Sequence, residues 1–358
     1  VGLSSLIARS GIQNVSDGVL PILLAGGQGS RLHELTDATC KPAVPFVGQT
    51  RIVDFTMDNV VRSGMYQILV ATQYRPDELN QHLMGRWADK VHVGLRHAPD
   101  IASVTKGARG TADAVRMLIP EIDAIAPRDV VVLAADHVYR MDYTDMIADH
   151  RRSEADVTVA VDLVPQAEAT AFGVLDTDRT RRITRFLEKP ARPPEAPNAP
   201  GQSLASMGLY VFKWETLRAL LIDHPDGLDF GHDILPEMIL EGRAFAHTPA
   251  DLAPFYWRDV GTLDALRHAA LDFMGPDAPF PLPDQSASSR RDCQDSLIMQ
   301  GAFVSKGSIL QDCIVAPGAV IPFGTMIGMG FRSDADRFRR TEKGTWLVTP
   351  EMLRRGNP

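Results

Sequence analysis

From Leu297 to Ile327 an apolar side chain recurs at every sixth position: Leu297, Phe303, Ile309, Val315, Ile321 and Ile327. Glycines keep the same interval, at Gly301 and Gly307 and again at Gly318, Gly324 and Gly330. Ordinary strands would match this period only by coincidence. It is the signature of a parallel β-helix, in which each short strand turns one aliphatic side chain into the core of a triangular prism. The run covers less than two turns of a three-sided coil, so it buries little core alone. Cover must come from the rest of the chain, from the tail 331–358 or from a second subunit. Closed symmetric assemblies are the commonest soluble oligomers, and we expect a homo-oligomer, a dimer or a tetramer, with the coil at or near a contact.

Upstream the period changes. Short β-rich runs (Leu20–Leu24, Gln67–Ala71, Asp129–Ala135) alternate with helical patterns, including Thr111–Ile125 and Tyr143–Arg151. Such alternation argues an α/β domain around a mostly parallel sheet. The uninterrupted apolar run Val130-Val131-Val132-Leu133 suits a central strand covered on both faces. The proline-rich stretch 190–201 reads as a surface loop. A second one, 275–284, follows the last helical pattern and marks a domain boundary. The expected organisation is an extension over 1–19, an α/β domain over 20–274, a linker over 275–292, and a short β-helix with a C-terminal segment over 293–358.

A formal net charge of −8 over 358 residues argues against a nucleic-acid binder. It leaves room for a small anionic ligand held by a local cluster of cations. Three cysteines without metal-ligand spacing fit a reducing cytoplasm. No run approaches the length of a membrane span, and residues 1–19 lack the pattern of a signal peptide.

The sharpest chemical signal is Leu24-Ala25-Gly26-Gly27-Gln28-Gly29-Ser30-Arg31-Leu32, followed by Lys41-Pro42. A buried strand here ends in a glycine-rich turn whose N–H groups make an anion-binding nest. Arg31 and Lys41 can clamp the same phosphates. A P-loop would end Gly-Lys-Ser/Thr, and a dinucleotide fingerprint would place a third glycine at the position of Leu32; neither fits. Asp136 follows the apolar strand at its C-terminal end, where ligands bind in open α/β sheets. A lone aspartate there is more often a cap or turn residue. By the same standard, Glu188-Lys189 alone reads as a solvated charge pair.

The sequence resembles the bacterial glucose-1-phosphate adenylyltransferases. The resemblance runs from about residue 20 to the C-terminus. It is carried by LAGGQGSRL (24–32), KPAV (41–44), RIVDF (51–55), ATQY (71–74), RGTADAV (109–115), ADHVYRMDY (135–143), AFGV (171–174), FLEKP (186–190), SLASMGLYVF (203–212), FGHDILP (230–236), YWRDVGT (256–262) and the end segment DRFRRTEKGTWLVTPEMLRR (336–355). It implies a Rossmann-like catalytic domain followed by a left-handed parallel β-helix. It also implies ATP and glucose 1-phosphate as substrates, Mg²⁺ as cofactor, and ADP-glucose and pyrophosphate as products. Arg31, Lys41 and Asp136 become catalytic candidates, with Asp136 and Asp259 as metal ligands. Leu24, Ala25, Gly26, Gly27, Gln73, Gly110 and Thr111 match nucleotide positions; Gly173, Glu188, Lys189 and Ser206 match sugar-phosphate positions.

Four departures stand against the family pattern. Gly107 and Ala108 replace an aromatic pair. Ala135 replaces the glycine before Asp136 and is expected to add a methyl group beside the metal site. Ala38, Thr39 and Pro350 replace basic residues of the activator site, leaving Arg354, so a weak activator response is expected. The coil is shorter. The aromatic loss and the short coil also motivate an alternative reading, a catalytically weak regulatory subunit; a further alternative keeps the chemistry but uses another sugar phosphate or nucleotide.

Overall fold

The computed structural model describes residues 15–97, 108–197, 199–248, 255–284, 293, 295–330 and 332–355. Gly107 and most of the expected extension 1–19 lie outside them. The central sheet runs in the order β10-β6-β9-β4-β1-β2-β3. Its strands are β1 (Val19–Ala25), β2 (Gln67–Thr72), β3 (His92–His97), β4 (Asp129–Ala134), β6 (Val157–Pro165), β9 (Gln202–Lys213) and β10 (Ala244–His247). β1 is parallel to both β2 and β4, whereas β9 runs antiparallel to β4 and β6. The sheet is therefore mixed and mostly parallel. β7 (Gly173–Thr177) and β8 (Ile183–Glu188) form an antiparallel pair attached to β9 through β7. β5 (His137–Tyr139) pairs antiparallel with β11 (Trp257–Asp259).

Val130, Val131, Val132 and Leu133 are all at most 1% exposed, as the unalternating run requires. Consecutive residues serve cores on opposite faces of the sheet: Val131 and Leu133 on one, Val130 and Val132 on the other. The single helical pattern over Thr111–Ile125 resolves into two helices, Thr111–Arg116 and Ile119–Ile125. The break has a local cause. Pro120 has no N–H to continue the ladder, so it sits at the start of a new helix.

The helix Ile52–Arg62 holds the end of β4 and the following segment in place. Thr56 Oγ1 donates to the Ala134 carbonyl at 3.0 Å, and Asn59 Oδ1 accepts from the Met141 N–H at 3.1 Å. The buried carboxylate of Asp54 caps this helix, accepting from the Arg51 N–H at 2.8 Å and from the Trp87 indole at 2.7 Å.

The C-terminal strands stack as expected of a β-helix, but in a different frame. β12 (Leu297–Ile298) pairs with β15 (Cys313–Val315), β13 (Phe303–Val304) with β16 (Val320–Ile321), and β14 (Ile309–Leu310) with β17 (Met326–Ile327). Ile298 lies beside Val315, Val304 beside Ile321, and Leu310 beside Ile327. These pairs line the coil interior. Phe303 and Ile309, expected inside, are 52% and 47% exposed. Leu297 is buried against the catalytic domain instead. The reason is the alternation of side chains along a strand. The upper turn is one residue shorter than a multiple of six, so the apparent ladder changes face between Leu310 and Val315.

Cover comes from within the chain. β19 (Trp346–Val348) adds to β15, and Phe338, Trp346, Val348 and Met352 close the coil interior. Leu297, Met299, Ile314 and Leu347 pack with Leu32, Leu263 and Leu266 of the catalytic domain. Arg267, 4% exposed, ties the two regions together: it donates to Thr345 Oγ1 at 3.0 Å, to the Asp295 carbonyl at 2.8 Å and to Asp312 Oδ1 at 2.9 Å.

The revised frame separates two neighbours. Leu310→Ala should cost about 2–5 kcal/mol, as for a buried aliphatic side chain, whereas Ile309→Ala should stay within about 0.5 kcal/mol. Chemical denaturation of both variants measures this, and equal losses would restore the unbroken ladder.

Candidate active site

A cleft of about 500 Å³ opens at the C-terminal ends of β1, β2 and β4. At its floor Lys41 Nζ donates to Asp136 Oδ2 and to Asp259 Oδ1, each at 2.9 Å. The three residues arrive from unrelated parts of the chain. Lys41 sits on the 3₁₀ turn Lys41–Ala43. Gly29 abuts it from the glycine loop; with φ of 72°, a Cβ there would lie 2.7 Å from Lys41 Cβ. Only glycine tolerates both that torsion and that approach. Asp136 leaves the end of β4, and Asp259 ends β11, opposite His137 in register.

Lys41 is 5% exposed. Burial alone would lower its pKa, but Asp136 and Asp259 outweigh burial and hold the ammonium above its ordinary value. Burial likewise pushes the Asp136 carboxyl up, yet Lys41 and then His137 prevail and hold it at about 2. Asp136 keeps 39% of its side-chain surface open to the cleft, so a ligand can still reach it.

Asp136, His137 and Asp259 offer ligand atoms within 4.8 Å of one another. Two carboxylates facing an open cleft suit a hard divalent cation, which prefers oxygen ligands. His137 was not singled out in the sequence, although it adjoins Asp136. The Trp257 indole N–H donates to His137 Nδ1 at 3.4 Å.

Leu24, Gly26, Gly27, Gln73, Gly110, Thr111, Gly173, Glu188, Lys189 and Ser206 all line this cleft. Ala25 is 1% exposed, its side chain in the core. Arg31 stands beside the floor of the cleft, its side chain 67% exposed and its guanidinium 4.0 Å from Asp259 Oδ2. The methyl expected beside the metal position points elsewhere: Ala135 is fully buried among core side chains. The Thr111 hydroxyl is engaged, donating to Asp229 Oδ2 at 2.9 Å and accepting from the Phe230 N–H at 3.0 Å. Phe186, Tyr210, Phe230 and Trp257 add aromatic walls, and of these only their places inside quoted motifs gave a sequence signal.

A mixed α/β sheet, a glycine turn beside a cleft and a lysine between two carboxylates define a phosphate-transferring nucleotide enzyme. Residues 20–274 match the nucleotidyl transferase family, and residues 283–348 match the GlmU-like C-terminal hexapeptide family. Nucleotidyl transferases of this type use a divalent metal. The chain is 37% identical to a glucose-1-phosphate adenylyltransferase of Jannaschia sp., over 92% of this chain and 95% of that protein. It is 39% identical to the one of Paraburkholderia phytofirmans, over 94% and 96%, and 38% identical to the one of Gemmatimonas aurantiaca, over 93% and 96%. The chain belongs to the glucose-1-phosphate adenylyltransferase family. The Jannaschia alignment spans 398 positions while using 92% of these 358 residues, so that relative carries segments this chain lacks. No helix among the described residues is long and apolar enough to cross a membrane.

A carboxyl depressed to about 2 adds stability that is present above its unfolded value near 3.9 and lost as pH falls toward 2. The stability gap between wild type and Asp136→Asn should therefore shrink between about pH 5 and pH 2.5. The change is on the order of 1 kcal/mol, discounted for the open face of Asp136. Urea denaturation across that range measures it; a gap that widens on acidification would contradict the assigned ionisation.

Proposed function

We propose that this enzyme transfers the AMP unit of ATP to α-D-glucose 1-phosphate, giving ADP-glucose and pyrophosphate for glycogen or other α-glucan synthesis. The carrying observation is the Lys41–Asp136–Asp259 cluster at the floor of a cleft lined by both sets of motif residues. A phosphate oxygen of the sugar attacks the α-phosphorus, a new P–O bond forms, and the bond to the departing pyrophosphate breaks in line. No covalent intermediate is needed, so catalysis is positioning and charge neutralisation.

In this reading the triphosphate lies over Gly26 and Gly27; a Cβ at Gly27 would meet nothing within 4 Å. Gln73 lines the cleft beside Gly26, and its amide can both donate to and accept from an adenine edge. Lys41 neutralises the α-phosphate region. Arg31 meets the departing pyrophosphate, which requires its exposed side chain to turn inward. Lys189 supplies a point charge to the sugar phosphate, and Glu188 accepts from sugar hydroxyls. Asp136 and Asp259 would hold Mg²⁺, which would supply neutralisation of triphosphate charge. The intact cluster favours this reading over a regulatory subunit. The division at 20–274, 275–292 and 293–358 separates catalysis from assembly, and a cytoplasmic setting matches the three widely spaced cysteines.

Purified enzyme with ATP, glucose 1-phosphate and Mg²⁺ should release pyrophosphate. Asp136→Asn should lower turnover by orders of magnitude, with single contributions of roughly 3–4 kcal/mol. Lys189→Ala should raise KM for the sugar phosphate far more than for ATP. Equal shifts in both KM values would move Lys189 off the sugar-phosphate subsite, and absent release would leave the regulatory reading.

We also propose a homo-oligomer, a dimer or a tetramer, joined through one outward face of the coil. Phe303 and Val320 lie side by side in register there, 52% and 59% exposed, with Phe323 at 81%. The Phe323 ring overlies Gly307, within 3.2 Å of where its Cβ would be. An isologous contact would cover this patch on both copies at once. Light scattering should give a multiple of the 39.2 kDa chain mass, falling to a single chain in Phe323→Asp. A wild-type monomer at micromolar concentration would overturn the assembly.

A further inference from the structure

The position between Asp136 and Asp259 is taken by Lys41. Its ammonium donates to one oxygen of each carboxylate at 2.9 Å, and its side chain is 6% exposed. A single ammonium thus offsets part of the charge where two carboxylates and His137 converge. A divalent cation on the same oxygens would displace those donors, and like charges that close repel strongly in a partly dehydrated floor. Burying the pair without any cation is also unfavourable.

We propose that Lys41 acts as a resident counter-ion that keeps the divalent-cation position closed in the free enzyme, and that nucleotide phosphate opens it by drawing the ammonium away. The inference rests on the nucleotidyl-transfer reading of the cleft. The geometry gives the ammonium somewhere to go. The base of Lys41 is fixed by the turn with Pro42 and by Gly29 against its Cβ, but the four-carbon stem retains its own torsions. Gly26 and Gly27 line the same cleft, and the space above Gly27 is open. A phosphate seated there offers Lys41 the negative charge it otherwise finds on the carboxylates. The exchange leaves Asp136 and Asp259 without their shared donor, with only the exposed Arg31 guanidinium 4.0 Å from Asp259 Oδ2, at the moment the triphosphate arrives. Metal and nucleotide therefore bind with positive coupling, and metal alone binds weakly.

Mn²⁺ alone serves as the probe, its binding to the full chain followed by electron paramagnetic resonance and by thermal melting, with no nucleotide and no turnover. Lys41→Met should bind Mn²⁺ at least about tenfold more tightly than wild type. Its melting temperature, lowered without metal, should rise on Mn²⁺ addition while that of wild type barely moves. Lys41→Gln, with a polar tip of similar reach, provides the same comparison if the methionine variant is unstable. Adding Asp136→Asn to either variant should abolish the gain. Equal or weaker Mn²⁺ binding in the Lys41 variants, with binding still dependent on Asp136, would overturn the counter-ion role and leave the site reading intact. Mn²⁺ binding indifferent to both Asp136 and Asp259 in every variant would overturn the site reading itself, and this inference with it.

Discussion

The ammonium of Lys41 between Asp136 and Asp259 is the contact on which the rest of the site depends. It closes loops of 95 and 218 residues in the sequence. Lys41 is buried, so without the two carboxylates its ammonium would be left unpaired there. The fold therefore has to deliver all three groups together, and each delivery has its own mechanical support. Thr56 and Asn59 of one helix hold the chain on either side of Asp136. The β5–β11 ribbon brings Asp259 alongside His137. Gly29 brings the glycine turn against the stem of Lys41.

The opposite wall is assembled by backbone contacts. A Cβ at Gly110 would lie 2.3 Å from the Leu228 carbonyl oxygen, so this position must be glycine for the two segments to meet. Ala112 N–H donates to that same carbonyl at 2.9 Å. Asp229 caps the following turn through the Gly231 N–H at 2.9 Å while accepting from Thr111. The wall next to Phe230 and Gly231 is therefore coupled to the segment that carries Gly110 and Thr111. Residues assigned to nucleotide and to sugar phosphate do not sit on independent loops.

Much of this was legible in the sequence, and the misses share a cause. Motif residues whose role is set by backbone position, such as Gly26, Gly110 and Asp136, were brought to the cleft as expected. Arg31, expected at the phosphates from its motif, keeps an exposed side chain whose guanidinium lies 4.0 Å from Asp259 Oδ2. Ala135 was read as an intrusion because it precedes Asp136; strand alternation sends its methyl into the core. The coil frame failed for the same reason. A period of six names a column of positions, but pairing between turns decides which of two adjacent residues faces inward; the single-residue shortening leaves its trace in the glycines, where Gly307 and Gly318 stand eleven apart rather than twelve. His137 and Trp257 carried no signal of their own, because their hydrogen bond joins residues that only the β5–β11 pairing makes neighbours.

The shortened coil gains a second function from that frame. In β12, Leu297 enters the catalytic-domain core while Ile298 faces the coil interior. One strand thus serves two cores, as a central sheet strand does. Ile314 and Val315 repeat the division, and so do Leu347 and Val348. Three stacked strands therefore form the joint between the two regions, reinforced by Arg267 from the helix Leu263–Met274. That helix begins just beyond Asp259 and Gly261, and Leu32 of the glycine loop packs into the same core. Arg339 of the C-terminal segment also forms a two-pronged ion pair with Glu34, at 2.6 and 2.8 Å. The coil is consequently continuous with the backs of two active-site segments. A long coil could stabilise itself; a short one has to be built into the enzyme it follows, and this one is anchored where it also braces the floor of the cleft.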